Sequence, residues 1–133
     1  DFAVNKIGDS DFCRVKKVSD FITTKPVGEI KQDDFLNGCL EIKTIFTPYE
    51  LLDFINKIEA EAGRERTIHW GPRTLDIDII FYDNVVIYEE RLKIPHSEAE
   101  NRRFVLEPLC QIAPFYKHPC YGVCVKELLA RLQ

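Results

Sequence analysis

Asp76 and Asp78 are the residues whose type and spacing most directly invite chemistry. They lie in the stretch GPRTLDIDIIF, residues 71–81, whose part from 75 to 81 is an apolar, β-branched-rich run of the kind that builds a core strand. Side chains alternate along a strand, so the two carboxylates face the same way. Their Cα atoms are then roughly 6.6 Å apart, at ~3.3 Å per residue. Two carboxylates about 4 Å apart repel by about 4 kcal/mol at an effective dielectric near 20. A divalent cation removes that repulsion. Mg²⁺ suits the pattern, because it keeps several waters and binds through one or two carboxylates plus substrate phosphates. Taken alone, Asp-x-Asp is equally a pair of solvated acids on a half-exposed sheet.

The neighbouring residues favour phosphate. Arg64, Arg66, His69 and Arg73 precede the acids within one short segment of an acidic protein. Guanidinium groups bind phosphate oxygens through a planar fork of donors. No Gly-x-x-x-x-Gly-Lys loop is present, so backbone cradling of phosphate in that manner is not on offer. A surface loop with its arginines paired to nearby Glu is the competing reading. Trp70, between the basic residues and Gly71-Pro72, argues for packing under a site. Phe35 and Asn37 share a strand face, and an amide beside an aromatic ring suits a flat, hydrogen-bonding heterocycle. Pro95-His96 and Asn101-Arg102-Arg103-Phe104 add an imidazole, two guanidiniums and another ring. Glu59, by contrast, reads on pattern alone as part of a solvated helix face.

These groups need elements to hold them. Residues 1–9 read as the end of a helix with Phe2, Ala3 and Ile7 on one side and Gly8 as its stop. Residues 12–23 and 35–46 alternate as strands. Between them, residues 25–34 are polar, broken by Pro26 and Gly28, and read as a long loop. The clearest helix is 48–62, with Thr47 as N-cap, Pro48 first and Glu50 completing a capping box. Leu51, Ile55, Ile58 and Ala62 form its apolar stripe, and Gly63 is placed to end it as a left-handed cap. A basic loop, 64–73, then feeds the acidic strand. A short strand over 85–88 after the Asp83-Asn84 turn, a helix over 104–112 and a last helix over 123–132 complete the reading. The order predicts an α+β domain, with a split βαβ sandwich as the natural architecture.

Composition narrows the function classes. A chain of 133 residues with 45% hydrophobic and 30% charged residues is one globular domain with a real core. The net charge of −4 argues against nucleic acid or an acidic membrane as partner. No apolar run is long enough to span a bilayer, and no signal-peptide pattern opens the chain. Five cysteines without regular spacing fit a reducing, cytoplasmic setting better than a disulfide framework. Cys120, Cys124 and His118 match no common zinc spacing. The chain contains no methionine. Its start is therefore expected to have been removed, or the chain to be a piece of something longer.

Residues 70–80, WGPRTLDIDII, resemble the signature of the 6-hydroxymethyl-7,8-dihydropterin pyrophosphokinases of folate biosynthesis. So do residues 24–28, 34–38, and 94–96 followed by Arg102 and Phe104. The resemblance implies a ferredoxin-like split βαβ sandwich and a transfer of diphosphate from ATP to the pterin hydroxymethyl, with AMP released. It implies two Mg²⁺ on Asp76 and Asp78, with ATP as co-substrate. Phe35 and Phe104 match the rings that sandwich the pterin, Asn37 reads its amide edge, and backbone groups of Thr24, Pro26 and Val27 complete that edge. Asn56, Glu59, Arg64, Arg66, Trp70, Arg73, Ile79, His96 and Arg102 match nucleotide and phosphate contacts, with Arg64 and Arg73 in catalytic positions. Residues 25–34 and 64–70 match mobile loops that close over the site. His69 stands where an Arg often precedes the Trp. The family opens with a strand and a Gly-Ser-Asn turn, so the chain is expected to lack that first strand. Some members are fused to another folate-pathway enzyme, which makes such a fusion or association an expectation here. The competing functional readings are a non-catalytic nucleotide-binding fragment and a Mg²⁺-dependent phosphohydrolase.

Overall fold

The computed structural model of the protein describes residues 2–24, 35–69 and 75–132. Its longest element starts where the local chemistry dictates. Thr47 Oγ1 accepts the Glu50 N–H at 3.3 Å, and Glu50 Oε1 accepts the Thr47 N–H at 2.8 Å. This reciprocal cap satisfies two of the donors that a helix start leaves without partners. Helix α2, Pro48–His69, follows and buries Leu51, Ile55, Ile58 and Ala62 as the stripe predicts.

Helix α2 does not stop at Gly63. It continues to His69, so the first part of the expected basic loop, with the backbone of Arg64 and Arg66, is helical. Gly63 does not adopt a positive φ. One glycine in a helix interior costs only about 1 kcal/mol, and the flanking Glu, Ala and Arg are good helix formers, so the helix carries through it.

The two expected long strands each break in the middle. Strand β1, Cys13–Val18, pairs antiparallel with β4, Leu40–Thr44, with a register shift between Val15 and Lys17. Strand β2, Ile22–Thr24, pairs with β3, Phe35–Asn37. The break has a chemical cause at Ser19. Its N–H donates to Cys39 O at 2.9 Å, while its Oγ accepts the Cys39 N–H at 2.8 Å and donates to Asp20 O at 2.9 Å. A side chain that bonds nearby backbone offers an alternative to the ladder. The break also divides the residues of 35–46: Leu36 is exposed, whereas Leu40 and Ile42 pack on the core. A third pair, β5 (Ile87–Tyr88) with β6 (Lys93–Ile94), follows the turn at Asp83.

Helix α1, Phe2–Gly8, lies against β1 and α2 and buries Ala3 and Ile7. Ile7, Cys13, Leu51, Ile55 and Ile58 form one buried cluster, with Leu75, Ile77 and Ile79 packed onto it. Helices α3, Arg103–Ile112, and α4, Val125–Arg131, close a second cluster around Leu106, Leu109, Val125 and Leu128. Both helices fall close to the expected spans. The observed class is α+β, with small antiparallel sheets and four α-helices among the described residues. No helix among those residues is long and apolar enough to cross a membrane.

The acidic segment is the main departure. Residues 75–80 keep the alternation expected of a strand but have no ladder partner among the described residues. Their backbone is held by other means. Ile77 N–H donates to Glu59 Oε2 at 2.8 Å, and Ile80 O accepts the His96 N–H at 3.0 Å.

The turn before α4 is built on His118, which is buried. Its Nδ1 accepts the N–H groups of Cys120 at 3.1 Å and Tyr121 at 3.3 Å, so the ring is neutral with its proton on Nε2. Burial lowers its pKa below the ordinary value of 6.5, and nearby Glu100 opposes that shift.

Two outcomes test this description. Gly63→Ala raises unfolding free energy by about 0.5–1 kcal/mol in urea titration, as in a helix interior, whereas a left-handed cap would lose stability. The pKa of His118 is lower in the fold than in the unfolded chain. Its contribution to stability is therefore full above pH about 6.5 and is lost as pH falls below that value through the lowered pKa of the fold. His118→Gln keeps an acceptor oxygen but cannot titrate. It flattens that part of the pH dependence of the urea midpoint, read against wild type between pH about 7.5 and about 5.

Candidate active site

The site begins with the alternation at residues 75–80. Leu75, Ile77 and Ile79 turn into the first cluster, and Asp76 and Asp78 lie exposed on the opposite face. Further along the segment, Ile80 and Phe81 pack on the second cluster under α3 and α4. The helices therefore cover the end of the segment and leave its two acids open to solvent. The repulsion between the acids is correspondingly weak, because solvent screens charges that are not buried.

An imidazole lies on that side. His96 Nε2 lies 3.8 Å from Asp78 Oδ2, and the side chain of Asp78 remains 61% exposed, which leaves its oxygens accessible to a further ligand. The 3.4 Å contact from the Glu98 N–H to His96 Nδ1 orients the ring with Nε2 toward the acid. Arg102 pairs with Glu98, and its guanidinium carbon sits 5.7 Å from the centre of the Phe104 ring, a cation–π contact. Asp78, His96, Glu98, Arg102 and Phe104 thus form a continuous chain of contacts.

Phe104 stands in the first turn of α3, the helix that touches β2 and β3. Several bonds fix that docking. Gln111 Oε1 accepts the Asp20 N–H at 2.8 Å, Lys17 Nζ donates to Ile112 O at 3.4 Å, and Cys39 Sγ donates to Val105 O at 3.6 Å. Burial pushes the Cys39 thiol up to about 11, so it stays protonated as a donor and is no nucleophile. Thr24 pairs with Phe35 at the end of β2–β3 next to residues 25–34, and Asn37 pairs with Ile22 at the other end. Asn37 is half-buried there.

On α2, Asn56 is exposed one turn before Glu59. Glu59 points at the main chain of Ile77, between the two acids. Ile79 packs its side chain on the core, so main chain is what it can present to a ligand. The side chains of Thr24, Phe35, Arg64 and Arg66, and all of Pro26, Val27, Trp70 and Arg73, lie outside the described residues, as do most of the two expected mobile loops.

The residues present fit Mg²⁺. Asp76 and Asp78 offer two exposed carboxylates, and Mg²⁺ takes one or two carboxylates and fills its shell with water and substrate phosphate oxygens.

Sequence reasoning missed three supports. Ser19 and Gln111 are polar residues with no motif around them. Gly38 shows its role only in packing, since a Cβ there would lie 2.5 Å from Cδ1 of Phe21. The Phe21 ring therefore rests directly on the glycine beside Asn37.

The described residues place two open carboxylates, an imidazole beside Asp78 and a ring on α3 within one α+β domain. Residues 1–114 match the family model described as 7,8-dihydro-6-hydroxymethylpterin-pyrophosphokinase, and the chain belongs to this family. It is 52% identical over 110 residues to the bifunctional protein FolKE of Lactococcus lactis subsp. cremoris, covering 83% of this chain and 32% of that protein. It is 47% identical over 95 residues to the 2-amino-4-hydroxy-6-hydroxymethyldihydropteridine pyrophosphokinase of Haemophilus influenzae, covering 71% of this chain and 59% of the relative. The Aquifex aeolicus protein of the same name is 41% identical over 125 residues, covering 94% of this chain and 77% of its own length. The chain thus spans about a third of the FolKE protein's length and under two thirds of the Haemophilus protein's.

The packing at Gly38 predicts an energetic coupling. Gly38→Ala costs at least about 0.5 kcal/mol more in the wild-type background than in Phe21→Ala, measured as a double-mutant cycle by urea unfolding. Additive losses would mean that the ring does not rest on the glycine.

Proposed function

We propose that the protein transfers diphosphate from ATP to the hydroxymethyl oxygen of 6-hydroxymethyl-7,8-dihydropterin. The observation that carries this reading is the placement of Asp76 and Asp78 on one open face, with His96 beside Asp78, in a chain that matches the pyrophosphokinase family over residues 1–114. In the reaction, the hydroxymethyl oxygen attacks the β-phosphorus and loses its proton. The bond from the β-phosphorus to the oxygen bridging it to the α-phosphorus breaks, and AMP leaves with that oxygen.

Asp76 and Asp78 would hold the Mg²⁺, two ions in this reading. When bound, these supply charge neutralisation on the phosphates and fix the in-line geometry. Arg64, Arg66, Arg73, His96 and Arg102 bind phosphate oxygens, and Asn56 and Trp70 with the Ile79 main chain bind the rest of the nucleotide. Phe104 and Phe35 take the two faces of the pterin, while Asn37 and the main chain of Thr24, Pro26 and Val27 take its polar edge. The docking of α3 on β2 and β3 supports this last assignment, because it places Phe104 on the helix that touches the hairpin of Phe35 and Asn37.

The chain reads as a single pyrophosphokinase domain. A ferredoxin-like arrangement is the architecture proposed for it, supported by the antiparallel β1–β4 sheet against α1 and α2 and by the strand-like alternation of residues 75–80. A cytoplasmic setting fits the reduced cysteines. The bifunctional relatives support a polypeptide that carries a second activity beside this one.

Asp76→Asn and Asp78→Asn test the reading. Each lowers pterin-dependent AMP formation by at least about a hundredfold, as expected for loss of a charge-stabilising group. Both leave the unfolding free energy within about 0.5 kcal/mol of wild type, because the acids are exposed. Wild-type turnover in either variant, or ADP as the product without any need for pterin, overturns the assignment.

A further inference from the structure

We infer that Glu59 is a positioning residue: its carboxylate holds the main chain between Asp76 and Asp78 and so fixes where both acids stand, rather than contacting nucleotide itself. The inference rests on the reading of Asp76 and Asp78 given above.

The geometry is specific. An extended segment sends its side chains to two faces and its N–H and C=O groups sideways, in the plane where a neighbouring strand would pair. Residues 75–80 have no such neighbour among the described residues. The N–H of Ile77 instead donates to Glu59 Oε2 at 2.8 Å. Glu59 thus occupies the place of a strand carbonyl. It sits on α2, whose buried Ile55 and Ile58 share one cluster with Ile77, so the bond and the apolar contact act on the same residue. Rotation of the segment about its axis would carry Asp76 and Asp78 off their common face, and the contact with Glu59 opposes that rotation at the residue between them.

An acceptor is what the position requires, and the charge strengthens the bond without being essential to it. Glutamine keeps an oxygen acceptor of the same length, whereas alanine removes it. A direct nucleotide contact makes the opposite demand, because there the loss would fall on ATP affinity.

Amide hydrogen exchange of Ile77 in the substrate-free protein, followed by NMR, reads the bond without turnover. In wild type this amide is protected. In Glu59→Ala it exchanges at least about tenfold faster, as expected for a lost hydrogen bond to a charged acceptor, and in Glu59→Gln protection returns to within about threefold of wild type. Steady-state kinetics give the second readout. Glu59→Ala lowers kcat for AMP formation at least about tenfold with KM for ATP within about twofold, and Glu59→Gln recovers most of the loss. An Ile77 amide that exchanges freely in wild type overturns the inference, even if Glu59→Ala fails to fold. So does a raised KM for ATP at unchanged kcat. A wild-type protein that forms no AMP defeats the proposed function instead, and leaves the exchange result to stand by itself.

Discussion

The whole site depends on the opposite burial of successive residues from 75 to 80. Leu75, Ile77 and Ile79 enter the cluster built by α1, β1 and α2, and this leaves Asp76 and Asp78 no direction but outward. Fully burying such an apolar side chain is worth about 1.5–3 kcal/mol, and these half-buried residues realise part of that. Against it stands the repulsion of two acids. For exposed groups about 4 Å apart this is only about 1 kcal/mol at the dielectric of water. The apolar anchors therefore win without help, and the two acids stand exposed on the outer face.

A second assembly brings the other side of the site into range. The residues flanking the β2–β3 pair are tied to α3 by the bonds from Cys39 Sγ to Val105 O and from the Asp20 N–H to Gln111 Oε1. Helix α3 is fixed from behind by α4, with Leu106 and Val125 fully buried between them. This second cluster sets Phe104 and, through Arg102 and Glu98, reaches the His96 that lies beside Asp78. The two clusters meet at residues 79 and 80, where Ile79 packs on one and Ile80 on the other. The acids and Phe104 are thus referred to a common segment of backbone, which is how groups from distant parts of the chain hold a fixed separation.

Much of this was legible in the sequence because it follows from local rules. The Thr47–Glu50 cap, the apolar stripe of α2 and the shared face of the acids come from spacing alone, and the spacing survived folding. Local rules failed where a neighbour decided the outcome. Gly63 has the chemistry of a helix stop, yet helix-forming residues on both sides carry α2 past it to His69. Residues 12–23 and 35–46 alternate as long strands, but the paired bonds between Ser19 and Cys39 interrupt both at the same level. No periodicity reports a side chain that competes with the ladder.

The sequence by itself determined the family, the identities of the charged and aromatic groups, and the face on which Asp76 and Asp78 stand, because these depend on residue order and on the two-residue repeat of an extended chain. Tertiary structure decided what those groups touch. It set His96 against Asp78, placed Phe104 on the helix that meets the β2–β3 hairpin, rested Phe21 on Gly38, and turned Glu59 from what reads on pattern alone as a solvated helix face into the acceptor for Ile77 N–H. The physical reason is that a hydrogen bond across 18 residues of chain is fixed by the packing of a helix against an extended segment, and that packing is encoded in both elements together and in neither alone.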